Sequence, residues 1–227
     1  MTTRPNTLNQ SHLEVAALIL FVLPFINGIY NKSLVNQPRL FWVLDVIQFI
    51  VLPICVALFL FTRSGLRATT IGLGLPQDKT GWKVLIAHIL FVGILFYPIC
   101  KGFHDLFLRL FPASKFPPVF DYSWMMPNSV RGQWLVSIYY AIGGGLSEEF
   151  YYRGLLVALF TQYKISNPII VLCVSSIFAL VHWESGPYNI LATFFLSIFV
   201  TAYYVRYRML IPLIVGHFVT DTIYFIK

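Results

Sequence analysis

Three ionisable residues, Glu148, Glu149 and Arg153, stand inside an apolar run that extends from Trp134 to Phe160. Each charged side chain near the centre of a membrane helix costs roughly 2.5 to 3.5 kcal/mol, so the trio must serve something that offsets that cost. Glu149 and Arg153 are four apart with the acid N-terminal to the base, the arrangement of a buried structural ion pair. Glu148 is turned about 100° from Glu149 and has no such partner on its own helix. It points toward a cavity or a neighbouring helix, and an unpaired carboxyl in lipid marks a functional site.

Two more helices carry ionisable groups in apolar surroundings. In Phe178-Ala179-Leu180-Val181-His182 the aromatic lies one turn before the histidine and can wall the imidazole against lipid. In His217-Phe218-Val219-Thr220-Asp221 two polar groups stack at i and i+4, which suits an aspartate orienting an imidazole, or two ligands meeting one centre. At about 1.5 Å per residue, Glu148, His182, His217 and Asp221 fall within one or two turns of a common depth and can share one site. A desolvated carboxylate beside an imidazole can activate a water, and His217 can donate to a developing oxyanion. The same four residues are also an acceptable zinc ligand set, so a zinc protease is the alternative to metal-free chemistry. A non-catalytic immunity or peptide-binding protein and a proton-coupled transporter compete from other classes, although the chain shows none of the paired broken helices of a transporter. His12, His88 and His104 stand alone and are read as structural or interfacial.

These residues must be held by a membrane-embedded frame. At 58% hydrophobic and 11% charged residues, with a mean hydropathy of +0.74, the composition excludes a soluble domain and implies an all-α, polytopic membrane helix bundle. The 227 residues form one integral-membrane domain, with N-terminal helices over about 13–110 and the candidate catalytic core over about 133–226. Apolar runs long enough to cross a bilayer give about seven helices: Leu13–Tyr30, Leu40–Phe61, Trp82–Pro98, Gln133–Tyr163, Asn167–Trp183, Asn189–Tyr204 and Met209–Phe225. Lys101 to Phe111 alternates Phe103, Leu106, Phe107 and Leu110 with polar residues at helical spacing, which predicts a short amphipathic helix lying in the interface. Thr62–Gly81 is basic and glycine-rich and reads as an interfacial loop. Pro112–Arg131 holds four prolines and several aromatics and reads as an irregular aromatic belt anchor in preference to a cavity cap. Gly143 to Gly145 and Gly154 are read as helix-packing positions.

The first hydrophobic segment follows a polar lead and lacks a small-residue cleavage pattern, so it is read as a retained helix. Cys55, Cys100 and Cys173 sit in apolar stretches at unrelated spacings, as packed thiols do. The net charge of +7 fits Lys and Arg anchoring helix ends at anionic headgroups; no nucleic acid is expected. With the N-terminus cytoplasmic, that side collects Arg4, Arg63, Arg67, Lys79, Lys83, Lys164, Arg206 and Arg208 against Lys32 and Arg39 in the short opposite loops. The shared site then lies toward the outer half of the membrane.

Taken together, Glu148-Glu149-x-x-x-Arg153-Gly154, Phe178-x-x-x-His182 and His217-x-x-x-Asp221, in that order on three membrane helices, resemble the three motifs of the CAAX-processing and bacteriocin-processing (CPBP, or Abi) intramembrane proteases. The resemblance covers about Gly143 to Asp221. It implies a glutamate-type endopeptidase of a prokaryotic plasma membrane with no cofactor, in which Glu148 and His182 activate a water. Glu149 and Arg153 would form a structural pair, and His217 with Asp221 would bind the oxyanion. The implied partner is a membrane-embedded or lipid-modified protein or peptide: a CAAX-like tail, a bacteriocin-like leader or a C-terminal sorting tail. Where the last motif position is Asn, its amide donates a hydrogen bond; Asp221 donates only when protonated.

Overall fold

The computed structural model describes residues 8–226. Among them the chain is all-helical and folds into seven main helical segments. The first is α1 (Gln10–Ser33). The second is α2 (Pro38–Val46) running through a π-helical segment, Ile47–Val51, into α3 (Leu52–Arg63). The third is α4 (Lys79–Leu110), and the fourth is α5 (Val130–Gly143), a π segment over Gly144–Leu156, and α6 (Val157–Gln162). Then come α7 (Asn167–Leu180), α8 (Pro187–Tyr207) and α9 (Ile211–Phe225). Four of these segments are long and apolar enough to cross a membrane, with α7 and α9 as shorter apolar helices. Arg4, counted above toward the cytoplasmic side, lies outside the described residues.

Helix boundaries follow local chemistry. Asp78 and Ser129 cap α4 and α5 by accepting from Gly81 N at 2.8 Å and Gly132 N at 3.2 Å. Proline opens α2, α7, α8 and α9, where its missing N–H costs nothing. Leu, Ile, Val and Phe side chains such as Val15, Leu18, Leu58, Leu90 and Ile94 stay exposed on the outside of the bundle, as a lipid-facing surface requires.

Two expectations fail here. The predicted interfacial helix over Lys101–Phe111 is the last third of α4, which continues past Pro98 without a break. Part of its apolar stripe is used inside the bundle: Phe103 stacks on Phe195 at 5.7 Å and Phe107 on the same ring at 5.5 Å, while Leu106 and Leu110 stay exposed and Lys101 pairs with Asp105 at 2.6 Å. Periodicity shows that a helix has an apolar face, and cannot say whether lipid or another helix covers it. The proline-rich segment after α4 is also more than a belt anchor. Trp124 and Phe116 remain exposed, but Phe120 is buried against Phe41, and Pro118, Phe120, Asp121, Tyr122, Ser123 and Met126 line a cavity of 760 Å³.

The Thr62–Gly81 link is anchored more deeply than a surface loop. Leu66 and Ile71 are buried, and Gly72, at φ 72°, lets its carbonyl accept from Leu210 N at 2.9 Å. A Cβ at Gly72 would lie 2.4 Å from the Arg208 carbonyl oxygen, so only glycine allows this tie to the start of α9. All three cysteines are free thiols; Cys55 is exposed, contrary to the packed reading, and Cys100 lines the cavity.

Candidate active site

The site is built from the wide-pitched Gly144–Leu156 segment, the end of α7 and the middle of α9. π-Helical turns are rare and gather at functional sites. Here the π segment carries Glu148 and Glu149 and packs against α9, α5 and α1. Close approach to α9 depends on glycine: a Cβ at Gly145 would sit 3.2 Å from the Ile214 carbonyl oxygen, and one at Gly144 only 2.8 Å from Asp221 Oδ2. Gly144 therefore makes room for a site residue, a role beyond the helix packing read from sequence.

The two adjacent glutamates have different surroundings. Glu149 is sealed, with a side chain 0% exposed, and Arg153 is 1% exposed. Arg153 Nη1 donates to Glu149 Oε1 at 3.2 Å and Nη2 to Ser197 Oγ at 3.0 Å, and the guanidinium lies 4.7 Å from the Phe178 ring centroid. The expected i, i+4 pair is present, and it has a third member. His217 Nδ1 donates to the same Glu149 oxygen at 2.8 Å. Glu148, with a side chain 21% exposed, lines the cavity. Its Oε2 lies 3.8 Å from His217 Nε2, and Asp221 Oδ2 lies 3.5 Å from that same nitrogen.

His182 sits just beyond the end of α7, at the entry to a 3-10 turn over Trp183–Ser185. Its Nδ1 donates to the Phe178 carbonyl at 2.7 Å, which fixes the neutral tautomer with Nε2 as acceptor. Phe178 packs on the imidazole at 4.7 Å between centroids, the wall expected from its spacing. Glu148, His182, His217 and Asp221 all line the same cavity. Of the histidines read as structural, His12 bonds Ser64 Oγ and His88 bonds the Tyr203 hydroxyl; His104 lines the cavity beside Tyr188 and Tyr224. For the zinc alternative, the His217 bond to Glu149 leaves Nε2 toward Glu148 and Asp221, although among the described residues no three His, Cys, Asp or Glu side chains gather as metal ligands.

Sequence reasoning passes over Glu184. It lies two residues past His182, is 5% exposed, and lines the same cavity. Its Oε1 accepts from the Tyr122 hydroxyl at 3.3 Å, and Tyr122 in turn accepts from Asn27 Nδ2 at 2.6 Å. Burial pushes the Glu184 carboxyl up to about 7. The available signal was an acid in an otherwise apolar turn directly after a site histidine. Tyr122 and Asn27 give no such signal, because their partners are 62 and 95 positions away.

Comparison with known proteins finds a similarity over part of the chain. Residues 130–223 match the family model of type II CAAX prenyl endopeptidase Rce1-like proteins. The Rce1-like segment starts with α5 and ends within α9, so it contains every site residue from Glu148 to Asp221. The resemblance to CPBP proteases drawn from the three motifs is borne out over that segment, and the match supports a CAAX-type intramembrane protease in general. The chain is an integral membrane protein. No curated protein and no solved structure matches this chain.

Proposed function

We propose that this protein is a glutamate-type intramembrane endopeptidase that hydrolyses a peptide bond near a membrane-embedded stretch of a protein or peptide. The observation that carries the reading is the convergence of Glu148, His182, His217 and Asp221, from three helices, on one cavity beside a sealed Glu149–Arg153 pair. CAAX-like, bacteriocin-like and sorting-tail substrates all satisfy it.

In this reading a water between Glu148 and His182 Nε2 gives a proton to the Glu148 carboxylate while its oxygen bonds to the scissile carbonyl carbon. The carbonyl electron pair moves onto oxygen. His217 Nδ1–H is already committed to Glu149, so Nε2 donates to that oxyanion in the imidazolium form, which the Glu149 carboxylate favours. Asp221, when protonated, adds a second donor. The tetrahedral species collapses as the C–N bond breaks, and the proton held by Glu148 passes to the leaving nitrogen. General acid–base catalysis of this kind contributes about 10²- to 10⁴-fold.

The test compares membrane proteomes of cells carrying wild-type protein and a Glu148→Gln copy. Uncleaved membrane proteins or peptides are expected to accumulate with the variant at unchanged abundance of the protein itself. Near-normal processing by Glu148→Gln would refute the assignment. Extended chelation of the purified protein is expected to leave its rate unchanged; loss on chelation with recovery on added zinc would establish the metal mechanism instead.

A further inference from the structure

Serine and threonine inside a helix commonly satisfy their hydroxyls by donating to the carbonyl four residues back. Ser137, Thr161, Ser176, Thr193 and Thr222 do so in this bundle, at 2.6 to 2.9 Å. Two hydroxyls on α8 behave differently. Ser197 and Thr201 are both 0% exposed, and among the described residues neither makes such a bond. Their oxygens lie 3.4 Å apart, and Ser197 Oγ accepts from Arg153 Nη2 at 3.0 Å. Neither residue belongs to the three motifs, and neither lines the cavity.

The effect of Ser197 shows in the geometry of the ion pair. A guanidinium and a carboxylate frequently pair fork to fork, through two parallel bonds. Arg153 reaches Glu149 through Nη1 alone, at 3.2 Å to Oε1, because Nη2 is spent on Ser197. Glu149 Oε2 and Arg153 Nε have no hydrogen-bond partner among the described residues. With the guanidinium over the Phe178 ring, 4.7 Å from its centroid, Ser197 fixes the direction in which its N–H groups point. Glu149 Oε1 is then shared between Arg153 Nη1 and His217 Nδ1, the latter at 2.8 Å. That bond, together with Phe96 stacked on the imidazole at 5.5 Å, holds His217 with Nε2 toward Glu148 and Asp221. Thr201, Ser197, Arg153, Glu149 and His217 form one chain of contacts from α8 through the π segment to α9.

Resting on the reading that His217 Nε2 donates to the oxyanion, we infer that Ser197, backed by Thr201, is a positioning residue for that donor. Ser197 draws Nη2 away from Glu149, which keeps Oε1 available to His217 and the imidazole aimed into the cavity. Without the hydroxyl, Nη2 is free to turn onto the carboxylate. The ion pair then gains a bond while His217 loses its orientation.

The test reads His217 directly. Full-length protein labelled with ¹⁵N-histidine is placed in lipid nanodiscs, and the His217 Nδ1–H proton is assigned by its absence from His217→Gln. In Ser197→Ala this proton is expected to exchange with solvent about ten-fold faster than in wild type, the scale of one charge-assisted hydrogen bond. Thr201→Val, which removes a hydroxyl at nearly constant shape, is expected to act in the same direction and less strongly; Thr201→Ser, which keeps the hydroxyl, is expected to match wild type. On a membrane protein that accumulates with Glu148→Gln, Ser197→Ala is expected to lower kcat about ten-fold at unchanged KM, because Ser197 has no surface in the cavity. An unchanged His217 proton in Ser197→Ala, whatever the melting temperature, would mark Ser197 as structural only and overturn the inference. Faster exchange with unchanged kcat would overturn it as well. If Ser197→Ala fails to accumulate, wild-type exchange in Thr201→Val overturns it instead. Absence of cleavage by the wild-type protein, with the His217 proton responding as expected, would count against the protease reading and leave the coupling of Ser197 to His217 standing.

Discussion

One turn of helix presents two carboxylates to opposite worlds. On the sealed face Glu149 is tied to Arg153 and His217, with Ser197 and the Phe178 ring also against the guanidinium. On the open face Glu148 has a histidine nitrogen at 3.8 Å and a cavity in front of it. The difference teaches that charge in a membrane helix is tolerated for two separate reasons. The sealed group offsets its desolvation through Oε1, which accepts from both Arg153 and His217. The open group does not repay it within the resting structure, which is the state the proposed reaction requires of a residue that is to take a proton from water.

Mutations on the two faces should therefore fail differently. The largest effect belongs to the open face: Glu148→Gln is expected to lower cleavage by about 10²- to 10⁴-fold with thermal stability unchanged. On the sealed face Glu149→Gln leaves Arg153 and His217 short of a carboxylate. It is expected to remove about 3 to 5 kcal/mol, read as lost abundance and a lower melting temperature. A Glu149→Gln protein as stable as wild type would dissolve the comparison. Gly144→Ala probes the seam between the faces, since its new methyl would meet Asp221 Oδ2 at 2.8 Å and His217 Nε2 at 3.8 Å. A displaced site group of this kind costs about 10- to 100-fold in rate while the fold persists, and an alanine variant with full activity would free Asp221 from any positional demand.

The smallest effect is expected at Asp221 itself. Asp221→Asn replaces a donor that depends on protonation by a permanent one, so activity is expected to stay within about ten-fold of wild type and to fall less at high pH. Asp221→Ala loses more. A large loss in the asparagine variant at every pH would show that the carboxylate orients His217, a role whose removal is worth about 10- to 100-fold.

Much of this was legible in the residues. Glu148, Glu149 and Arg153 stand out because charge in an apolar run has a known cost, and the i, i+4 rule separates the paired acid from the unpaired one. The depths of His182, His217 and Asp221 follow from a constant rise per residue. What could not be read is what faces what. The end of α4 has an amphipathic stripe, yet its Phe103 and Phe107 meet Phe195 while Leu106 and Leu110 stay exposed, and Phe120 turns inward onto Phe41 although its segment has no periodicity at all. The bond from His217 to Glu149 spans 68 positions and converts an ion pair into a triad, a change no local pattern reports. Gly144 carried no signal beyond small size, because its importance lies in the atom it does not have.

The order of the triad's members along the chain has a consequence for biogenesis. Ribosomal synthesis delivers Glu149 and Arg153 to the membrane well before α9, which brings His217. In that interval Glu149 holds one partner in place of two, and the helix that carries it lacks its packing neighbour. A nascent chain halted before α9 thus exposes an incompletely satisfied charge in lipid, the kind of defect that membrane quality control detects. Arrival of α9 supplies the His217 bond to Glu149 and brings His217 and Asp221 to the cavity in the same step, so completing the charge pairing and completing the candidate site are one event.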